Sequence, residues 1–421
     1  MNKERHYLII NCWSSSIKYQ VFKWYEWKNS VLNLIWKWLI EKLNLENYEI
    51  HHTKIKDDWM YIKTDFVFES KKEENDTFKN AFEKLWKLLY SDDPHLWILE
   101  KDQKIDAIWH RVVHWWEKFN KIVEITNDVE KEINNCIPLA PLHNPKNLLW
   151  ITFSKELFSW VKQFALFDTA FHQTMTEDHF LYALPYEMYK NDKIRRYWFH
   201  WISYQCSFEK ITQKYWENKK IIVCHLWNWS SVTAIDNWKV IDTSTWYTPV
   251  EWLIMWSRTW DIDAWILVKL IKDWFSAEEI DTLINKKSWI TWILWNWDFR
   301  TILEWLQHDE DSEIYKKSNL IYRMYLHRVV KYIWWYISLM NWVDIIAFTW
   351  WIWENVSKLR SDICNQFSYL WVQINELWNQ KVDLSYWIDW ITSPSSKVKV
   401  CVVKADEEKV IATEIHKILS N

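Results

Sequence analysis

No glycine occurs anywhere in these 421 residues, while tryptophan occurs 40 times. That pairing constrains the fold more than any single motif. Glycine ordinarily makes up about 7% of a chain, because positive-φ turns and helix C-caps favour a residue without a Cβ. Here tryptophan stands in those places. Asn228-Trp229, Asn237-Trp238, Asn296-Trp297 and Asn341-Trp342 have the form of Asn-Gly turns. Asp273-Trp274 precedes Ser276, which reads as a helix N-cap with Glu279 closing a capping box, so Trp274 falls in a turn between helices. Elsewhere the tryptophans follow neither the 3.6-residue nor the 2-residue apolar period. The pattern predicts that tryptophan stands where the natural product carries glycine, as one codon read under two genetic codes, or deliberate rewriting, would produce. Intact mass of the natural product tests this, and a mass matching forty tryptophans refutes it.

The remaining composition is ordinary. The length gives room for two or three domain-sized units with ample core. A net charge of −4 argues against a nucleic-acid or polyanion surface. Cys12, Cys136, Cys206, Cys224, Cys364 and Cys401 are scattered without a CxxC pair, which predicts reduced thiols in a cytoplasmic protein. After Lys3 and Arg5 only four apolar residues come before Asn11, too few for a signal peptide. The run from Tyr332 to Trp353 is interrupted by Asn341 and Asp344, and reads as a helix end followed by a buried strand rather than a membrane span.

Strands dominate the first forty residues. Leu8 to Ile10 runs into the polar turn Asn11-Cys12-Trp13-Ser14-Ser15-Ser16, and Ile17, Tyr19, Val21 and Phe22 lead out of it. Phe78, Ala81, Phe82, Leu85 and Leu89 share one helical face. Lys104 to His110 and Phe164 to Phe167 read as buried strands, the second ending at Asp168. Ile221 to Cys224 then repeats the opening device, entering His225-Leu226-Trp227-Asn228-Trp229-Ser230-Ser231 and returning as a hairpin. Two such copies predict two similar lobes. Helices follow over Ile262 to Lys272, Ala277 to Asn285 and Tyr315 to Tyr336, with strands at Val343 to Thr349 and Val398 to Val403 and a terminal amphipathic helix. Strands alternating with helices predict an α/β architecture.

Four loops after buried strands are rich in presumed glycine: 11–18, 225–231, 293–300 and 350–355. Backbone amides in such loops can cradle phosphates, although each alone is also an ordinary turn. Arg111 and Arg258 are candidates for bidentate contacts to carboxylate and phosphate, or are ion-pair members. His110 and His114 have i,i+4 spacing, but on a strand, and no glutamate follows His110 as a zinc-protease helix requires. His200 lies beside an aromatic residue and two cations. Asp168 is placed to organise a metal or a nucleophile, or to cap the next segment. Glu407 could reach the same metal or sit in a helix first turn.

Together these residues resemble the acetate kinase family. The likeness covers nearly the whole chain with tryptophan read as glycine, and its carriers include Asn11 to Gln20, His110 to Phe119, Phe167 to His172, Arg195 to His200, His225 to Ser231, Asp242 to Asp263, Phe348 to Asn355 and Ser396 to Glu408. The resemblance implies the acetate and sugar kinase, Hsp70 and actin (ribonuclease H-like) fold: two duplicated α/β lobes with an interlobe active-site cleft. The lobes would span 1–168 plus 404–421, and 169–403. It implies reversible transfer of the ATP γ-phosphoryl group to acetate, with Mg2+ or Mn2+, in a homodimer with no nucleic-acid or membrane partner.

By the same resemblance, Asn11 and Glu407 would help hold the metal, and Lys18 would contact ATP. The nucleotide would lie against His225, Leu226, Trp227, Asn228 and Trp229, then Asp298, Phe299 and Arg300, then Trp351, Ile352, Trp353, Glu354 and Asn355. Arg111 would take the substrate carboxylate, and Val113, Leu142, Phe199 and Pro249 would surround its methyl group. His200 and Arg258 would stabilise the transferring phosphoryl group, with Asp168 as the family's acid/base. The family usually has histidine four positions after His200, where this chain has Tyr204. Other readings are a propionate or butyrate kinase, an actin-like or chaperone-like ATPase, or an inert chain if indoles at 227, 229, 351 and 353 fill the phosphate sites.

Overall fold

The computed structural model describes residues 4–12, 16–25, 32–41, 43, 46–55, 61–70, 74–91, 93, 99, 104–112, 122–139, 143–167, 174–197, 200–214, 218–226, 230–248, 250–251, 253, 258–288, 299–350, 355–404 and 406–420. The chain divides into two compact units, Met1–Ala170 with Asp406–Asn421, and Phe171–Ala405.

The first unit is built on an eight-stranded sheet. Its strands are β1 (Glu4–Cys12), β2 (Ile17–Tyr25), β3 (Leu32–Glu41), β4 (Asn47–Ile55), β5 (Tyr61–Glu69), β6 (Ala107–Val112), β7 (Val123–Glu124) and β8 (Lys162–Phe167). Their spatial order is β5-β4-β3-β2-β1-β6-β8-β7. β1 to β5 form an antiparallel meander, while β1, β6 and β8 run parallel. Parallel neighbours need crossovers, and helices Glu74–Leu89, Asn127–Asn135 and Asn144–Leu157 lie in them. The predicted face of the first helix is buried to the last residue, packing Phe78, Ala81, Phe82, Leu85 and Leu89 with Ile10, Ile17 and Tyr19. The strand reading in the first forty residues stopped short, because β4 and β5 extend the meander to Glu69. β5 alternates exposed and half-buried positions as an edge strand, so it carries little apolar signal.

The second unit holds β9 (Lys220–His225), β10 (Ser231–Asp236), β11 (Lys239–Thr243), β12 (Ile345–Thr349), β13 (Ile388–Trp390) and β14 (Lys399–Val403), ordered β11-β10-β9-β12-β14-β13. This repeats the first sheet from β3 to β7, strand for strand. In both, an antiparallel three-strand meander is followed by two strands parallel to its first, with an antiparallel edge strand outside. β9 is buried on both faces. Ile222 and Cys224 meet the long Glu313–Met340 helix through its Ile321, Val329 and Ile333, while Ile221 and Val223 meet Tyr204, Phe208 and Ile211 of the Trp201–Lys214 helix.

Within the 332–353 run the long helix ends at Met340 and the buried strand β12 follows over Ile345–Thr349, and among the described residues no helix is long and apolar enough to cross a membrane. The described cysteines Cys136, Cys206, Cys224, Cys364 and Cys401 are buried and unbridged.

The backbone locates the glycine-like positions directly. Trp238, Trp260, Trp274, Trp350, Trp371 and Trp387 have φ between 58° and 74°. Asn237-Trp238, with φ of 48° and 70°, is the two-residue hairpin turn between β10 and β11 that Asn-Gly ordinarily makes. Where tryptophan is buried instead, the indole N–H groups of Trp24, Trp38, Trp109 and Trp150 have no hydrogen-bond partner among the described residues, although buried indoles normally find one.

Candidate active site

In the first unit the parallel register of β1 and β6 pairs Ile10 with His110, which places Arg111 beside Asn11. Arg111 Nη1 donates to Asn11 Oδ1 at 3.1 Å and lies 3.7 Å from Glu407 Oε2. All three side chains are buried. Glu407 opens the Glu407–Ser420 helix, which is tied to β1 by Arg5 Nη1 donating to the Leu419 carbonyl and by Tyr7 Oη against His416 Nδ1. A guanidinium held between an amide oxygen and a carboxylate keeps its charge and a fixed fork, as anion recognition needs. Lys18 is half-buried directly across the hairpin from Asn11. His110 is structural: it is buried, its Nε2 lies 2.8 Å from Gln163 Oε1, and burial lowers its pKa to about 4. Among the described residues no group of three or more His, Cys, Asp or Glu side chains could hold a metal.

In the second unit His200 and His225 meet where β9 and β10 approach the start of the Trp201–Lys214 helix. His200 precedes that helix with φ of 60°, a costly conformation for a residue with a Cβ. Its ring stacks on His225, at the end of β9, with centroids 3.9 Å apart and planes 13° from parallel. His200 Nδ1 is 2.8 Å from Ser231 Oγ, and His225 Nδ1 is 2.9 Å from Ser203 Oγ. Ser231 also bonds Tyr204 Oη. The Trp350 ring, at the end of β12, lies 5.2 Å from His225. Leu226 is fully buried next to it. Arg258 is buried too, and burial lowers its pKa to about 10, so it remains cationic at neutral pH. Ser203, Ser231 and Tyr204 received no role from the sequence; the hydroxyl-rich hairpin was visible, but which hydroxyl meets which imidazole depends on sheet register.

Several predicted residues lie outside the described ones: Val113, Leu142, Asp168, Phe199, Trp227, Asn228, Trp229, Pro249, Asp298, Trp351, Ile352, Trp353 and Glu354. Phe299 and Arg300 open the Phe299–Trp305 helix, and Asn355 is exposed. Surface hollows of about 480 and 650 Å³ along the Glu313–Met340 helix are lined by none of the predicted site residues.

The comparisons with known proteins agree over nearly the whole chain. The model of the acetokinase family matches residues 6–413. Acetate kinase of Dictyoglomus turgidum is 36% identical over 416 residues, 97% of this chain and 96% of that protein. The crystal structure of Porphyromonas gingivalis acetate kinase matches with a TM-score of 0.84 at 32% identity, covering 99% of this chain and 100% of that one. A propionate kinase structure from Francisella tularensis matches with a TM-score of 0.83 at 31% identity, covering 97% and 98%. The duplicated sheets are thus those of the acetate and propionate kinases, and this chain belongs to the acetokinase family.

Proposed function

We infer that this chain catalyses reversible transfer of the ATP γ-phosphoryl group to acetate, giving acetyl phosphate and ADP. The observation that carries this is the match to the acetokinase family over residues 6–413. Family membership brings ATP and ADP as substrates and a divalent metal as cofactor.

Acetate is already ionised at neutral pH, because carboxyl pKa values lie near 4. No base is needed to activate it, so Asp168 serves better as an organiser of metal and water than as a proton shuttle. The difficulty is to bring two anions together. Arg111 supplies a fixed cation for the carboxylate. Arg258 and His200 supply donors for the equatorial oxygens of the transferring group. Val113, Leu142, Phe199 and Pro249 would bound the methyl pocket, and Lys18, His225 and Leu226 with the loops that follow would meet the nucleotide.

Asn11 Oδ1 and Glu407 Oε2 offer the oxygen donors that a hard ion such as Mg2+ or Mn2+ requires, and both are buried against Arg111. They fit such an ion as part of its shell, completed by phosphate oxygens and water. Bound there, Mg2+ would neutralise charge on the β- and γ-phosphates.

The test is acetyl phosphate formation, trapped with hydroxylamine, across acetate, propionate and butyrate. The expected result is ATP- and metal-dependent product with acetate preferred. ATP hydrolysis indifferent to acetate would overturn the reading, and preference for propionate would move it within the family. Arg258→Ala should lower turnover far more than ATP affinity; near-normal turnover removes Arg258 from the mechanism.

A further inference from the structure

Arg258 lies in a stretch without regular structure. Residues 258–263 belong to no helix or strand, and the Ala264–Lys272 helix begins only after Asp263 caps it. The place of such a segment is set by what its groups bond to, because no ladder of its own holds it. One tie is the Thr259 amide, which donates to the Ile284 carbonyl at 3.1 Å. Another is the Asp261 carboxylate. Arg328 Nη1 lies 2.7 Å from its Oδ1 and 2.6 Å from its Oδ2, and Lys331 Nζ is 3.3 Å from Oδ2. The two cations are three residues apart on the Glu313–Met340 helix and so share a face. Asp261 and Arg328 are only 24% and 25% exposed, so salt screens the pair less than it would a surface pair.

That helix is itself fixed to the sheet. Its Ile321, Val329 and Ile333 pack with Ile222 and Cys224 of β9. His225 closes β9, and the His200 ring stacks on it. Packed interiors transmit displacement rather than absorb it. The element that grips Asp261 is therefore bound to the strand that carries the partner of His200.

We propose that Asp261 is a positioning residue: gripped by Arg328 and Lys331, it holds the segment that carries Arg258 in a fixed place relative to His200. Three residues separate Arg258 from Asp261, at most about 10 Å of extended chain, and the Thr259 tie lies between them. Little slack remains to absorb a shift of Asp261. Phosphoryl transfer needs its donors placed in advance, and a misplacement of about 1 Å can cost on the order of 100-fold. Neutralising Asp261 does not strand the two cations, because Glu251 also lies within electrostatic reach of Arg328 and Lys331. The catalytic consequence rests on the acetokinase reading of Arg258; the clamp does not.

Amide hydrogen exchange reads the clamp without reference to activity. In the unaltered chain the Thr259 amide should be protected. Asp261→Asn should speed its exchange about tenfold or more while the β9 amides keep their rates. An unprotected Thr259 amide in the unaltered chain overturns the proposal even if no variant folds, and so does an unchanged rate in Asp261→Asn. In turnover, Asp261→Asn should lower kcat roughly tenfold, with KM for ATP within about twofold. Arg328→Met should do the same, and combining the two should add little, because both break one clamp. The Arg258→Ala background separates positioning from a general loss of structure. There Asp261→Asn should leave kcat within about twofold, although it shifts the urea midpoint as much as it does in the unaltered chain. An equal loss of kcat in both backgrounds, unchanged kcat in Asp261→Asn, or a loss carried by KM overturns the catalytic consequence. Absence of acetate phosphorylation in the unaltered chain would instead overturn the functional reading and leave the exchange result standing.

Discussion

Trp274 offers the sharpest test of why tryptophan stands where it does. Helix Ala264–Lys272 ends at Asp273, and Trp274 follows with φ of 71°. Its amide donates to the Ile271 carbonyl at 3.1 Å, and the next amide, of Phe275, donates to the Leu270 carbonyl at 3.1 Å. That is the paired closure of a Schellman end, in which the left-handed residue is usually glycine. Any residue with a Cβ costs roughly 1–2 kcal/mol in this conformation. The indole is 92% exposed, so little packing is lost on removing it. Against the gain stands the extra freedom of glycine in the unfolded chain, about 0.5–1 kcal/mol. Trp274→Gly should therefore stabilise the second unit by roughly 0.5–1 kcal/mol. Trp334, 56% exposed inside the Glu313–Met340 helix, is the opposite case. There glycine relieves nothing and weakens the helix, so Trp334→Gly should cost about 0.5 kcal/mol or more. Urea midpoints of the two variants, with unchanged slopes, read the difference. Equal signs would refute the argument that backbone conformation decides these positions.

Two further outcomes follow from buried charges. Burial raises Asp242 from 3.8 to about 6, against smaller opposing contributions from Arg196, the Thr243 amide and His179. A carboxyl raised by folding destabilises once ionised, so the penalty is full above about pH 6 and gone below its unfolded value near 4, and Asp242→Asn should stabilise by up to about 3 kcal/mol at pH 8. Urea titrations at pH 8, 6 and 4.5 should show the gap closing as pH falls; a constant gap contradicts the burial argument. At the first site, Arg111→Met removes the cation 3.7 Å from buried Glu407 and should cost roughly 3 kcal/mol. Adding Glu407→Met should restore part of that loss in thermal unfolding, and simple additivity would show that the two charges do not depend on each other.

What the sequence determined alone was local. The faces of the Glu74–Leu89 helix, the capping box at Ser276 and the end of the long helix before β12 all follow from periodicity and turn chemistry within a few residues of each other. The repeated hairpin was legible for the same reason, since both copies carry an apolar strand into a hydroxyl-rich turn. Tertiary structure decided the rest. β5 carries Lys63 and Asp65 among its apolar residues, and only pairing with β4 makes it a strand. Arg111 reaches Asn11 because β1 and β6 are parallel neighbours, and reaches Glu407 because the last helix returns to the first unit. The His200–His225 stack and the contact of His200 with Ser231 exist because β9 and β10 pair in one register and a helix starts beside them. Side chains far apart in sequence meet only through long-range pairing, whose register no local pattern encodes. The chain's letters named candidate residues; long-range pairing chose which of them touch.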